Sequence, residues 1–336
     1  MQVDEASSRN ETSNSKTLSP LLGALSLAAI FFLAASLTWT YLARASSQTA
    51  AALVPLKTPA SLPQPQVATS SFSGVSLLAK SAIVVDETTG QVLYALHPDT
   101  QLPLASLKKV ALVLSVGQVM PPDTVITIPF DTGYNPRGGS LYKGELWRLQ
   151  DVINFTIAIS SNQGADILAQ VANDAIHTAF PASPAQGATL WRMNNLVQSL
   201  GLTDMYFLND NGLDVSTTQS GGYGTARDVA SLLDYAVQTM PERFAATTIR
   251  TFTVTSIDGS HVDAINTDEA LPDIPNIILG KTGYTDLAGG NLAVCFKSNG
   301  DTVCAVVLGS TFYGRFADMK TLVADTHAAL SSRSTL

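Results

Sequence analysis

The stretch Leu104-Ala105-Ser106-Leu107-Lys108-Lys109-Val110-Ala111-Leu112-Val113-Leu114-Ser115-Val116 begins with a hydroxyl and two amines and continues in small and apolar residues. Its pattern predicts a helix over Leu104–Val119 that starts at Ser106. Positions i and i+3 share a helix face, so the Lys109 amine can reach the Ser106 oxygen. A serine hydroxyl is a weak nucleophile until a neighbouring base takes its proton. For lysine to be that base at neutral pH its pKa must fall from about 10.4 towards 7, roughly 3 units at about 1.4 kcal/mol each. Burial and a second nearby cation both act in that direction. The same spacing recurs at Ser13/Lys16 and Ser140/Lys143, but only Ser106 stands where an extended segment enters an apolar helix. There the first helical amides can stabilise negative charge.

Upstream, Ser81–Asp86 and Gln91–Leu96 read as two strands around a turn at Thr88-Thr89-Gly90. Downstream, residues 121–147 are rich in Gly and Pro with short extended pieces. Helices are predicted over Leu149–Ile159, Gln163–Ala172, Ala188–Leu200 and Thr225–Gln238. The chain closes with strands over Asn276–Lys281, Asn291–Lys297 and Thr302–Leu308, then a helix over Phe316–Leu330. Strands at both ends of a helical middle imply an α+β fold: an antiparallel sheet completed late, flanked by helices, with a mostly helical subdomain.

Two further motifs lie on this framework. Ser160-Ser161-Asn162 falls in the break between two predicted helices. Ser160 could relay a proton there, and the Asn162 amide could both donate to and accept from a peptide bond. An ordinary helix cap is the simpler explanation, since Ser and Asn favour that position. Lys281-Thr282-Gly283 ends a predicted strand. A cation, a hydroxyl and a residue without a side chain at a sheet edge can hold an extended peptide with a terminal carboxylate. Each motif has a structural explanation alone, yet their order along the chain is the S-x-x-K, S-x-N, K-T-G set of penicillin-interacting serine enzymes.

Of the 336 residues, 46% are hydrophobic and only 14% charged, which suits a domain with a sizeable core. The net charge is −8 and no basic stripe is present, so nucleic acid is not an expected partner. Leu21–Ala43 carries no charged residue and has Trp39 and Tyr41 near one end. That length and pattern predict a transmembrane anchor. A cleavable signal peptide is the rival, because Ala43-Arg44-Ala45 has the small-x-small form, but the apolar run is longer than such peptides use. Residues 1–20 then form a disordered cytoplasmic tail, 44–74 a flexible linker and 75–332 the catalytic domain. Cys295 and Cys304 flank an Asn299-Gly300 hairpin signal and face each other by count, as a disulfide or as two buried thiols. His97, His177, His261 and His327 lack metal-ligand spacing, and neither a metal nor an organic cofactor is expected.

From Ser81 to Leu330 the chain resembles the low-molecular-weight penicillin-binding proteins, the D-alanyl-D-alanine carboxypeptidases of serine peptidase family S11. Ser160-Ser161-Asn162-Gln163-Gly164-Ala165-Asp166, Asn211-Gly212-Leu213-Asp214 and Gly280-Lys281-Thr282-Gly283-Tyr284-Thr285 carry the resemblance beside the first motif. It implies a β-lactamase/transpeptidase-like fold. The partner would be a peptidoglycan stem peptide ending in D-Ala-D-Ala, with β-lactams as covalent inhibitors and the catalytic domain outside the cytoplasm. It also implies that Ser106 is acylated with Lys109 as its base, that Ser160 shuttles protons and that Asn162 holds the substrate amide. Lys281 and Thr282 would bind the terminal carboxylate and stabilise charge, with Gly283 beside them letting the ligand backbone approach, and the amides of Ser106 and Tyr284 would form the oxyanion hole. The sequence departs from the family in having Lys108 where Thr is usual, and Asn266-Thr267 near the place of a carboxylate-binding arginine. No C-terminal β domain of the family's usual kind is expected after the last predicted helix. A β-lactamase would need a water-holding Glu-x-x-Leu-Asn pattern between the second and third motifs, and none is present. A DD-endopeptidase and a non-catalytic wall-binding protein of the same fold also compete with the carboxypeptidase reading.

Overall fold

The computed structural model describes residues 70–333 apart from Tyr134 and Pro136. The predicted tail, the Leu21–Ala43 anchor and nearly all of the linker fall outside the described residues. Among the described residues no helix is long and apolar enough to cross a membrane.

The strand β1 (Ser81–Asp86) is buried at every position. Ile83 and Val85 enter one core and Ala82 and Val84 another, so the strand sits between two layers. A strand covered on both faces reads as an unbroken apolar run, because neither face needs polar residues. It pairs antiparallel with β2 (Gln91–Leu96), and the short β3 (Leu102–Pro103) follows.

A 3-10 turn, Ala105–Lys108, leads into helix α1 (Lys109–Gly117). The predicted helix therefore starts as the tighter form, and Ser106 lies in that turn. Eight of the nine α1 residues are buried, the condition expected of a helix that is apolar all round. The small ladder β4 (Val125–Thr127) and β5 (Leu146–Arg148) brackets the Gly/Pro-rich loop. Helices α2 (Leu149–Ala158) and α3 (Asn162–Ala179) follow with the expected break between them, then α4 (Ala188–Ser199). Next come β6 (Tyr206–Phe207) and β7 (Gly222–Gly224), which complete a three-stranded sheet with β3, and then helix α5 (Ala226–Thr239). An unpredicted hairpin follows, β8 (Thr251–Thr255) with β9 (His261–Ile265).

The last third supplies β10 (Ile277–Thr285), β11 (Gly289–Ser298) and β12 (Asp301–Ser310), then helix α6 (Gly314–Arg333). The main sheet has the order β10-β11-β12-β1-β2, with antiparallel neighbours throughout. The late hairpins are thus joined to the first strand, as strands at both chain ends imply. One core lies between the sheet and helices α1 to α5, and the other under α6. At the β11–β12 turn Asn299 and Gly300 both have positive φ, 51° and 90°, which a two-residue hairpin of matching twist requires. Cys295 and Cys304 are register partners and are joined as a disulfide, which decides between the two readings of that pair.

One local expectation is corrected. The third motif does not end its strand: β10 continues to Thr285, with Lys281, Thr282 and Gly283 paired to Ala293, Leu292 and Asn291. The chain reverses only beyond Thr285, through residues 286–288, and β11 begins at Gly289, whose φ is 65°. Gly283 is a contact residue and not a turn residue. A Cβ built there would lie 2.8 Å from the Leu104 carbonyl oxygen and 3.3 Å from the Ser106 nitrogen. Its bare backbone lets the edge strand lie against the turn that carries Ser106.

Candidate active site

Ala105 has a φ of 49°, an uncommon left-handed value for a residue with a side chain. The kink follows the extended β3 segment and lets Ser106 emerge at the mouth of α1. Lys109, the first residue of α1, is fully buried. Its Nζ lies 2.7 Å from Ser106 Oγ, 2.8 Å from Asn162 Oδ1 and 2.5 Å from the Asn211 carbonyl oxygen.

The break between α2 and α3 divides its two serines. Ser161 caps α3, its Oγ accepting from the Gly164 amide at 2.9 Å. Ser160, with a φ of 60°, turns away from the helix and accepts a hydrogen bond from Lys281 Nζ at 2.8 Å. The capping explanation thus holds for Ser161, and it leaves the Ser160 hydroxyl in the cleft. Non-glycine residues in this backbone region are held there by surrounding structure, typically at functional sites.

On β10, Lys281 is buried and also donates to the Thr282 carbonyl at 2.7 Å. The Thr282 hydroxyl is 2.6 Å from that of Thr267. β10 is the outer strand of its sheet, so alternate main-chain groups along it have no strand partner; its Thr282 and Gly283 reach the cleft. Tyr284 is there too, its ring half-exposed and packed edge-on against Phe312. Ser106, Ser160, Asn162, Thr282, Gly283 and Tyr284 line one cleft of about 200 Å³, with Lys109 and Lys281 in its floor. A larger hollow of about 500 Å³ lies among Asp166, Asp174 and Asp210. Among its described lining residues no nucleophile stands beside a base, so the smaller cleft is the candidate for chemistry.

Sequence reasoning missed three contributors. The Asn211 carbonyl holds the Lys109 amine and leaves no side-chain signature. Arg137, from the Gly/Pro-rich loop, and Arg315, from the first turn of α6, line the same cleft as Thr267. Arg137 is bound to Glu269 at 3.2 Å, and Arg315 donates to the Gly283 carbonyl at 3.0 Å. They are far apart in sequence and belong to no motif.

Electrostatics match the geometry. Burial first, and then the Lys281 and Lys108 cations, hold the Lys109 pKa well below its ordinary value against the opposing Asp166. Burial and Arg315 bring Lys281 down to about 7, with Asp268 opposing. Lys108 does not point to solvent; it is fully buried, and burial lowers it to about 7 against Asp210 and Asp166.

Residues 66–311 match the family described as peptidase S11, D-alanyl-D-alanine carboxypeptidase. The chain belongs to this family. As an S11 family member it is similar to D-alanyl-D-alanine carboxypeptidase DacA of Escherichia coli K12, at 30% identity over 253 residues, covering 73% of this chain and 60% of that protein. It thus spans about three fifths of that relative's length. The D-alanyl-D-alanine endopeptidase of Pseudomonas aeruginosa is 29% identical over 254 residues, covering 72% of this chain and 75% of that one. Among solved structures, ampicillin-bound penicillin-binding protein D2 of Listeria monocytogenes superposes with a TM-score of 0.61 at 25% identity, covering 75% of this chain and 98% of that one. The α+β transpeptidase-like fold is common to such proteins, including the Streptomyces K15 DD-transpeptidase at a TM-score of 0.63 and 20% identity, with 76% of this chain and 98% of that one covered.

Proposed function

We propose that this S11 peptidase removes the terminal D-alanine from peptidoglycan stem peptides through an acyl-enzyme on Ser106. The observation that carries the proposal is the 2.7 Å separation of Lys109 Nζ from Ser106 Oγ beside the edge strand with Lys281-Thr282-Gly283. A neutral lysine amine has two N–H donors and one lone pair. The two carbonyl oxygens, of the Asn162 side chain and the Asn211 main chain, engage the donors, which directs the lone pair at the Ser106 hydroxyl proton. Burial and two flanking cations favour that neutral form.

The step then balances as follows. Ser106 Oγ attacks the penultimate D-Ala carbonyl while Lys109 takes its proton. The amides of Ser106 and Tyr284 stabilise the oxyanion; oxyanion donors of this kind are each worth roughly 2.7–4 kcal/mol. The proton taken by Lys109 passes by way of the Ser160 hydroxyl, which is hydrogen-bonded to Lys281, to the leaving nitrogen, the C–N bond breaks and D-alanine departs. Water hydrolyses the ester in the reverse sense. The terminal carboxylate is assigned to the part of the cleft lined by Thr282, Thr267, Arg137 and Arg315, where the two threonine hydroxyls are 2.6 Å apart. β-Lactams would acylate the same oxygen.

The same reading sets the cleft outside the cytoplasm, tethered by Leu21–Ala43. The apolar length of that run supports the tether. The Cys295–Cys304 bond supports an oxidising compartment. Endopeptidase action on cross-linked stems is the second reading, favoured by the larger share of the endopeptidase relative that the chain covers. Purified protein incubated with fluorescent penicillin, a pentapeptide and a cross-linked dimer tests the nucleophile and separates the two activities. Labelling and D-alanine release, both lost in Ser106→Ala, are expected. A Ser106→Ala protein that still labels refutes the nucleophile assignment, and cleavage of the dimer alone selects the endopeptidase.

A further inference from the structure

Lys108, next to the base, is fully buried although its side chain belongs to neither the nucleophile nor the cleft. A lysine ammonium has three donors, and three oxygens meet it: the Asn209 carbonyl, the Asn209 Oδ1 and, at 2.9 Å, the Gly221 carbonyl. Its charge also lies over the Phe207 ring, 5.8 Å from the centroid. The partner of interest is the turn that Asn209 begins. Asn209 Oδ1 also accepts from the Gly212 amide at 3.0 Å, and its Nδ2 donates to the Leu213 carbonyl at 2.9 Å. Gly212, with a φ of 93°, lies so close to the nucleophile's turn that a Cβ would be 2.8 Å from the Ala105 carbonyl oxygen. Between them, Asn211 turns its carbonyl to Lys109 and its amide group to Asp166 at 2.9 Å. Just beyond, Asp214 accepts from Thr285 Oγ1 at 2.9 Å and so ties the same turn to the end of β10.

We propose that Lys108 is a positioning residue: its ammonium clamps the Asn209–Leu213 turn against the nucleophile's turn, so that the Asn211 carbonyl holds the Lys109 amine with its lone pair on Ser106. The proposal rests on Lys109 acting as the base. Without the clamp the Asn211 oxygen loses its fixed place and the amine its orientation, while the carboxylate end at Thr282 and Thr267 is untouched. Loss of the clamp therefore lowers the maximal acylation rate and leaves substrate binding as it was. The charge has a second effect of the same origin. The groups around Lys109 are Lys108 from the 3-10 turn before it, Asp166 from α3, Lys281 from β10 and, beside Lys108, Asp210 from the Asn209–Leu213 turn. Removing the Lys108 cation leaves Asp166 and Asp210 less opposed, which favours a proton on Lys109. The acid limb of acylation then moves to higher pH.

Stopped-flow acylation by a fluorescent penicillin, from pH 5 to 10, separates the limiting rate from the apparent binding constant. Lys108→Met is expected to lose about 10²-fold in limiting rate, as a displacement of about 1 Å at the reacting groups costs. Its binding constant should be unchanged and its acid limb raised. Lys108→Gln keeps amide donors for the same carbonyls without the charge. It should recover part of the rate yet keep the raised limb, and it carries the test alone should Lys108→Met not fold. A wild-type rate and limb in either folded variant overturns the proposal. So does a loss of binding at constant limiting rate, or a Lys108→Gln no faster than Lys108→Met with an unmoved limb. A wild-type protein that neither labels nor releases D-alanine would instead remove the peptidase reading beneath it.

Discussion

Replacing Lys281 by Met should make the protein more stable and inactive, and the gain should fade as pH rises. Lys281 is buried in the floor of the cleft, and burial together with Arg315 brings its pKa from 10.5 to about 7. The folded state therefore binds fewer protons than the unfolded chain between those values, and such a protein gains stability as pH rises through the window. The penalty is complete below about pH 7 and gone near the ordinary lysine value. At about 1.4 kcal/mol per unit it amounts to about 5 kcal/mol at pH 6 and about 2 kcal/mol at pH 9. Methionine fills nearly the same volume and has no charge to bury, but it forfeits the bonds to Ser160 Oγ and the Thr282 carbonyl. Those are worth about 1 kcal/mol each. The net expectation is a stabilisation of about 2–3 kcal/mol at pH 6, or about 5–10 °C in Tm for a domain of this size. Near pH 9 little or none should remain. Paired thermal melts of wild type and Lys281→Met across pH 6–9, with penicillin labelling alongside, read both effects. A variant less stable than wild type at pH 6, or a Tm difference constant across that range, would show that burial of this cation is not the cost argued here.

Gly283→Ala sets a Cβ 2.8 Å from the Leu104 carbonyl oxygen, with backbone on both sides of the contact. The edge strand must move from Ser106, so acylation should fall about 10²-fold while stability falls only about 1–3 kcal/mol; normal labelling would refute the close-contact argument. Removing the disulfide with Cys295→Ala and Cys304→Ala together should cost about 2–3 kcal/mol in urea unfolding. Labelling should persist, because neither sulfur lines the cleft; an inactive but folded double variant would contradict this. Arg137→Gln should weaken binding of a peptide ending in a free carboxylate about tenfold, the equivalent of about 1.4 kcal/mol. It should barely affect the matching C-terminal amide, and equal losses on both substrates would deny Arg137 a part in carboxylate recognition.

Much of the fold could be read along the chain because its decisive elements are locally explicit. The β1 segment is unbroken in apolar character, and Asn299-Gly300 announces its hairpin. The 3-10 turn and the first residue of α1 carry the reactive pair three residues apart, a spacing that sets both on one face. The β8–β9 hairpin went unread although Thr251–Thr255 alternates polar and apolar side chains. Its strands are short and half-exposed, so the pattern stands little above that of a loop.

By itself the sequence determined which groups could react, since a hydroxyl and an amine on one helical turn are neighbours wherever that turn lies. It also determined that a sheet would close late, because the strands stand at the two ends of the chain. Only the tertiary structure decided what surrounds the amine. The Asn211 carbonyl, Lys108 turned inward to Asn209 and Gly221, and the two arginines reach the site from separate elements. A main-chain oxygen has no side-chain identity to read, and the direction of a lysine depends on the packing around it. Such contributions exist only once distant segments have come together.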